Sequence, residues 1–267
     1  MSLFRTRRGL SLLAFATVMA VACVLLGLWQ LDRYQQRGER NEAIRTALGS
    51  APAPLDAVLD AATTPDEVSA DVEWRAVTVR GTFDPTAELS LRLRSVEGQS
   101  GVHALAPLVL DDGSAVLVDR GFVPTATRST GEVAVPPPVD TVVELTGRVR
   151  LSESGQGSGL DSDSTPPSIR FVDLAEIDTQ LDDDVAPVWL ERVEQRPAED
   201  DALIAIPAPR LSAGPSLIYA VQWFLFGIVA VVGFVLLARK DSAERAHRPE
   251  GQGTARPAAT DAEHSPS

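Results

Sequence analysis

The chain has 267 residues, 44% of them apolar and 5% aromatic, and a formal net charge of −13 at pH 7. Its single cysteine excludes an internal disulfide, and its three histidines are too scattered for a copper-type cluster of soft ligands. The acid excess, with no basic stripe, speaks against nucleic acid as a partner.

Residues 1–8 form a short basic terminus with Arg5, Arg7 and Arg8. The uncharged run Gly9 to Leu31 follows. At about 1.5 Å per residue it is long enough to cross a hydrocarbon layer of about 30 Å as a helix. A cleaved leader is the alternative, with Arg7-Arg8 hinting at a twin-arginine signal and Ala20-Val21-Ala22-Cys23 at a lipoprotein site. The apolar run continues past Cys23, which is too long for a signal core. Cys23 therefore reads as a small buried residue inside a span. Trp29 and Tyr34 suit a membrane–water interface. Gln30, Arg33 and Tyr34 stand at i, i+3 and i+4 and share a helical face. That face is either an interfacial anchor or a polar surface for a partner or for a cofactor's acidic groups. The polar run Asp32 to Leu48 extends the helix, and Gly49 to Pro54 ends it.

Residues 32–214 read as one β-rich domain. It holds 16 basic side chains against 32 acidic ones. Val77, Val79 and Phe83 alternate with polar residues, as do Leu89, Leu91 and Leu93, and both runs predict half-buried strands. Leu108-Val109-Leu110 and Ala115-Val116-Leu117-Val118 flank Asp111-Asp112-Gly113-Ser114, a hairpin signal. Val143, Leu145 and Val149 predict a further strand. Ser152 to Ser168, rich in Gly, Ser, Asp and Pro, reads as a mobile loop, with Asp161 and Asp163 solvated. Asp173 with Glu176 reads as a capping box opening a helix with Leu174, Ile177 and Leu181. Val188-Trp189-Leu190 reads as a late strand. His103, the one histidine of this domain, lies beside Val102 and Leu105 and reads as structural.

Residues 215–238 form the second span, since Ser216 to Ala238 is uncharged and stops at Arg239 and Lys240. Basic residues flank both spans on the same side, so both termini are expected in the cytoplasm and the acidic domain outside. The tail, residues 239–267, reads as disordered. Tyr219 and Trp223 stand at i and i+4 with Gln222 between them, near the end where Trp29 and Gln30 lie. Such groups serve helix packing and an aromatic belt, or line a functional cleft. No nucleophile elbow, phosphate loop or paired catalytic carboxylates appear, so no catalytic residue, metal site or enzymatic activity is expected.

Four segments in order resemble the surfeit locus protein 1 family. Gly27-Leu28-Trp29-Gln30-Leu31-Asp32-Arg33 is similar to the family's Gly-x-Trp-Gln-x-x-Arg. Val77-Thr78-Val79-Arg80-Gly81-Thr82-Phe83 is similar to its Val-x-Val-x-Gly-x-Phe. Val118-Asp119-Arg120-Gly121-Phe122-Val123-Pro124 resembles its Val-Asn-Arg-Gly-Trp-Val-Pro, with Asp119 and Phe122 departing. Tyr219-Ala220-Val221-Gln222-Trp223-Phe224 resembles the opening of its second span. The composition suggests an actinobacterial source.

The resemblance implies a non-enzymatic assembly factor of haem-copper cytochrome oxidase in the cell membrane, with oxidase subunits and the lipid bilayer as partners and haem a as a transient cargo. It implies cofactor contacts at Gln30, Arg33, Tyr219, Gln222 and Trp223: Gln30 and Arg33 toward haem propionates, Trp223 against the porphyrin. Family members often carry a histidine before the Tyr-Ala-x-x-Trp segment; Ser216 holds that place here, leaving Tyr219, Met19 or Cys23 as the ligand, or no protein ligand at all. Alternatives are a scaffold that binds oxidase subunits without haem, and a membrane-tethered envelope enzyme. The expected fold is two transmembrane α-helices flanking one extracytoplasmic β-rich domain of α+β type, barrel- or sandwich-like.

Overall fold

The computed structural model describes residues 7–60, 62–125, 133–153, 158–179, 184–212 and 214–246. Arg37–Ser212 form one compact unit, and the chain on either side of it forms the other.

The second of these units is a pair of helices. α1 (Arg7–Leu48) is one continuous helix of 42 residues. The closing helix of the chain runs from Ser216 to Ala246 and is numbered α4 below. Each is long and apolar enough to cross a membrane. Their large apolar side chains, among them Phe15, Leu25, Ile218, Ile228 and Leu236, lie uncovered by protein. The helix expected to stop near Lys240 continues to Ala246. Ala243, Glu244, Arg245 and Ala246 are good helix formers and extend it. The rest of the expected disordered tail lies outside the described residues.

The larger unit is built on a five-stranded barrel. Its strands are β2 (Ala76–Phe83), β4 (Gln99–Leu110), β5 (Ala115–Pro124), β6 (Val143–Leu151) and β8 (Val185–Arg196). They close in the order β2-β6-β8-β5-β4 and back to β2. Of the two expected arrangements, barrel and sandwich, the chain adopts the barrel. β1 (Ala53–Pro54) extends β2, while β3 (Leu89–Val96) and β7 (Ser168–Ile169) extend β4. α2 (Leu55–Leu59) and α3 (Leu174–Asp178) are short covers.

Two cores follow from the alternation of side chains. Val77, Val79, Phe83, Leu108, Val116, Val118, Leu145 and Leu190 fill one, with Leu55 and Val58 of α2 against them. Leu91, Leu105, Leu117, Ile169, Trp189 and the α3 residues Leu174 and Ile177 form the other. β4 and β5 thus bury both faces, which is why their sequence is apolar almost without a break. The barrel seam needs Gly81: it pairs with Leu110, and a Cβ there would stand 2.2 Å from the Val109 carbonyl oxygen. The hairpin at Asp111–Ser114 forms as expected, with Gly113 at φ 87° and Leu110 N–H donating to the Ser114 carbonyl at 2.7 Å.

Three local expectations are corrected. Leu93 does not follow Leu89 and Leu91 inward; it is 72% exposed at φ 62°, because the β3–β4 register slips between Leu91 and Arg94. A bulge of this kind re-aims every side chain beyond it. The described part of the expected mobile loop is pinned instead: Ser158 is buried, Asp161 exchanges two backbone hydrogen bonds with Ser168, and Arg92 donates to Asp161 at 3.2 Å and to the Gly159 carbonyl at 2.7 Å. α3 carries no capping box. Asp173 makes no side-chain cap, and Glu176 instead accepts from the Ser158 N–H. Leu181 lies outside the described residues.

Candidate functional site

The helix pair brings small residues together. A Cβ added at Gly27 would stand 2.8 Å from the Phe224 ring, and one at Gly227 would touch the Cys23 side chain at 3.4 Å. Cys23, Ala220 and Ser216 are buried. The crossing is therefore close-packed at these positions, as small residues permit.

The five residues expected to bind a cofactor fall on different faces. Gln30 is half-buried on the α1 face that carries Cys23 and Gly27, and Trp223 is half-buried beside Phe224. Trp223 meets Phe226 edge-on, ring centroids 5.9 Å apart. Arg33, Tyr219 and Gln222 are exposed. Arg33 lies over the Trp29 ring of its own helix at 5.8 Å. Tyr34, expected to share a face with Gln30 and Arg33, is half-buried like Gln30. Of the conceivable haem ligands, Cys23 is enclosed in the crossing while Met19 and Tyr219 are open.

The barrel contains a second candidate that lone-residue reasoning missed. In the run Val116–Pro124 two successive charged residues, Asp119 and Arg120, are both wholly buried. Adjacent residues of a strand face opposite ways, so each must find partners on its own side. Arg120 donates twice to Glu199 at 3.0 Å, to Glu88 at 2.7 Å and to the Pro136 carbonyl at 2.9 Å, with its guanidinium 5.8 Å from the Phe83 ring. Burial lifts the Glu88 carboxyl above the usual range despite the opposing charge of Arg120. Gly121, at φ 148°, has no space for a Cβ, which would stand 2.9 Å from the Ile204 carbonyl.

Asp119 turns the other way and meets His103 of β4, Nδ1 to Oδ2 2.5 Å, while its second oxygen accepts from the Gly121 N–H at 3.1 Å. Burial drives the Asp119 carboxyl upward, and the His103 contact offsets this only in part. The pair faces a cavity of about 520 Å³. Trp189, Leu91, Arg94, Arg150, Glu191 and the segment Ile206 to Arg210 also line it. Arg148 and Arg150 of β6 both bond Glu191 of β8, and Arg150 stacks on Trp74 at 3.9 Å. Arg94 holds Glu153 at 2.9 Å. The signal that could have located this site was the charged pair inside an apolar strand run. Among the described residues no group of three or more His, Cys, Asp or Glu side chains could hold a metal ion.

Comparison with known proteins adds a lineage. The family profile described as SURF1 family matches residues 17–228. Uncharacterized SURF1-like proteins of Mycobacterium bovis and Mycobacterium tuberculosis are each 33% identical over 238 residues, 87% of this chain and 83% of theirs. The Surfeit locus protein 1 of Homo sapiens is 32% identical over 152 residues, 49% of this chain and 46% of its own.

Proposed function

Because the chain belongs to the SURF1 family, we propose that it is a non-enzymatic assembly factor for a haem-copper cytochrome oxidase, anchored in the cell membrane by α1 and α4. The observation that carries this is the extent of the match, which runs from within α1, through the barrel, into α4. The matched residues take in segments of both helices and the whole barrel, rather than one detachable domain. Both termini are cytoplasmic and the barrel lies outside, as the basic residues at Arg7, Arg8, Arg239 and Lys240 favour.

In this reading the protein assists haem a delivery to, or stabilisation of, the catalytic subunit. Tyr219, Gln222 and Arg33 offer exposed polar groups for such a cargo, and Gln30 and Trp223 support them from the half-buried faces. A guanidinium such as Arg33 suits a propionate carboxylate. The exposed positions of Arg33, Tyr219 and Gln222 would present such a cargo to the outer helix surfaces. The closed crossing and the absence of histidine from α1 and α4 support a second reading, a scaffold that holds oxidase subunits without haem.

The test is to purify the tagged chain in detergent from cells with and without haem a synthesis. Oxidase subunits should copurify in both readings. A stoichiometric haem a spectrum selects delivery, and a colourless complex selects the scaffold. Purification with neither oxidase subunits nor haem would refute the proposal.

A further inference from the structure

His103 stands in an arrangement that its apolar sequence neighbours do not explain. It is 9% exposed on β4 and lines the cavity of about 520 Å³ described above. That volume is within the range of small-molecule and cofactor sites, about 300–1,000 Å³. The wholly buried Asp119 carboxylate takes the Nδ1 side of the ring at 2.5 Å and is itself steadied by the Gly121 N–H. A carboxylate only accepts, so the ring proton sits on Nδ1 and Nε2 keeps its lone pair. Among the described residues Nε2 has no partner, and it is not one of the atoms sealed off inside the protein. An imidazole held from behind by a carboxylate, with a free lone pair in a cavity wall, is the arrangement of a metal-ligating histidine.

The wall decides what kind of metal suits it. A bare ion needs several protein donors, and among the described residues no group of three or more His, Cys, Asp or Glu side chains could hold one. Nor is there negative charge to spare. Asp119 is taken by His103, Glu153 by Arg94, Glu97 by Arg210, and Glu191 by Arg148 and Arg150. One imidazole in such a wall suits a metal that arrives with its own ligands and one open axial position. Much of the remaining lining is apolar, with Leu91, Val96, Trp189, Ile206, Pro207 and Pro209, and suits an organic ring. At the surface the Arg210 side chain is 86% exposed and reaches Glu97 only at 3.4 Å. So loose a pair leaves the guanidinium free to take an acidic side group of the ligand in a charge-assisted contact.

We propose that this cavity is a binding site for a planar metal chelate, an iron porphyrin with acidic side groups, held through His103 Nε2. Asp119 is the positioning residue: it fixes the tautomer and the ring orientation and makes Nε2 a stronger donor. Leu91 and Trp189 supply apolar surface, and Arg210 takes a carboxylate. The site rests on the haem delivery reading above and gives it what α1 and α4 lack, a histidine ligand. His103 belongs to a different unit of the chain from Arg33, Tyr219 and Gln222, so the cavity and the helix surfaces are tested separately.

The test titrates the purified full chain, in detergent and with a histidine-free tag, with ferric protoporphyrin IX, and records absorption and electron paramagnetic resonance spectra. The parent should take up a stoichiometric amount with the spectrum of imidazole-ligated iron. His103→Ala should bind at least about ten-fold more weakly, and added imidazole should restore the parent spectrum. Asp119→Asn should weaken binding by about 10–100-fold, the usual cost of losing the group behind a ligating histidine. Ala208→Trp, at an exposed position in the lining, should weaken it markedly without changing the circular dichroism. Equal uptake by the parent and His103→Ala overturns the site, as does a parent spectrum without an imidazole ligand. If His103→Ala loses its folded circular dichroism, Ala208→Trp decides: unchanged binding there also overturns the site. The delivery reading fails on a different result, a preparation from cells making haem a that carries oxidase subunits and no haem.

Discussion

Replacing Arg120 by methionine is the sharpest test of the barrel's polar interior. The guanidinium is wholly buried and bonded to Glu199, Glu88 and the Pro136 carbonyl. Methionine keeps much of the volume but leaves two carboxylates without their cation, and the Glu199 side chain is itself only 2% exposed. Breaking a buried pair from one side costs about 3–5 kcal/mol, because the stranded charge is what is expensive. For a unit the size of Arg37–Ser212 each kcal/mol lowers Tm by about 2–4 °C, so Tm should fall by about 6–20 °C. The assay is thermal unfolding of the full chain in detergent, followed by near-UV circular dichroism. Adding Glu88→Gln and Glu199→Gln should recover most of the loss, since no unpaired charge then remains. An Arg120→Met protein within about 1 kcal/mol of the parent would refute the reasoning, because that is the behaviour of a solvated surface pair.

Other outcomes follow from single contacts. Gly81→Ala should prevent closure of the barrel seam, since its Cβ meets a backbone oxygen at 2.2 Å; recovery of a folded domain with native circular dichroism would contradict the seam. Trp189→Phe should cost about 1 kcal/mol, the value of a typical net hydrogen bond, because its indole N–H donates to the Leu151 carbonyl at 2.9 Å; denaturant unfolding measures it. Glu88 binds its proton more tightly folded than unfolded. Its contribution to stability therefore falls as pH rises from the usual carboxylate value through its own raised value, and levels off above. Glu88→Gln should flatten that limb in unfolding measured from about pH 4 to about pH 7, and an unchanged slope would remove Glu88 as its source.

Much of the architecture could be read from residue types. The two uncharged runs announce α1 and α4, and the alternation of Val77, Val79 and Phe83 announces a barrel strand with those side chains inward. Periodicity fails where register breaks. The sequence of β3 alternates smoothly through Leu93, yet the slip against β4 turns that side chain out. Composition fails where long-range bonds intervene. The segment around Asp161 has the makeup of a loose loop, but Arg92 and Ser168 hold it. The charged pair of β5 was visible in the motif at Val118–Pro124, but its partners were not. Glu199 lies 79 positions from Arg120, and His103 lies 16 from Asp119 across the β4–β5 hairpin. The glycines of the motifs acquire reasons only in three dimensions: Gly81 at the barrel seam and Gly27 beneath Phe224.

The proposed role in oxidase assembly is tested most directly by deleting the gene from its own host, in the absence of a second copy of the family, and measuring haem a absorbance and cytochrome oxidase activity in the membranes. The expected result is a large loss of both, restored by the intact chain and not by the barrel expressed without α1 and α4. Normal oxidase content and activity in the deletion strain would contradict the assignment.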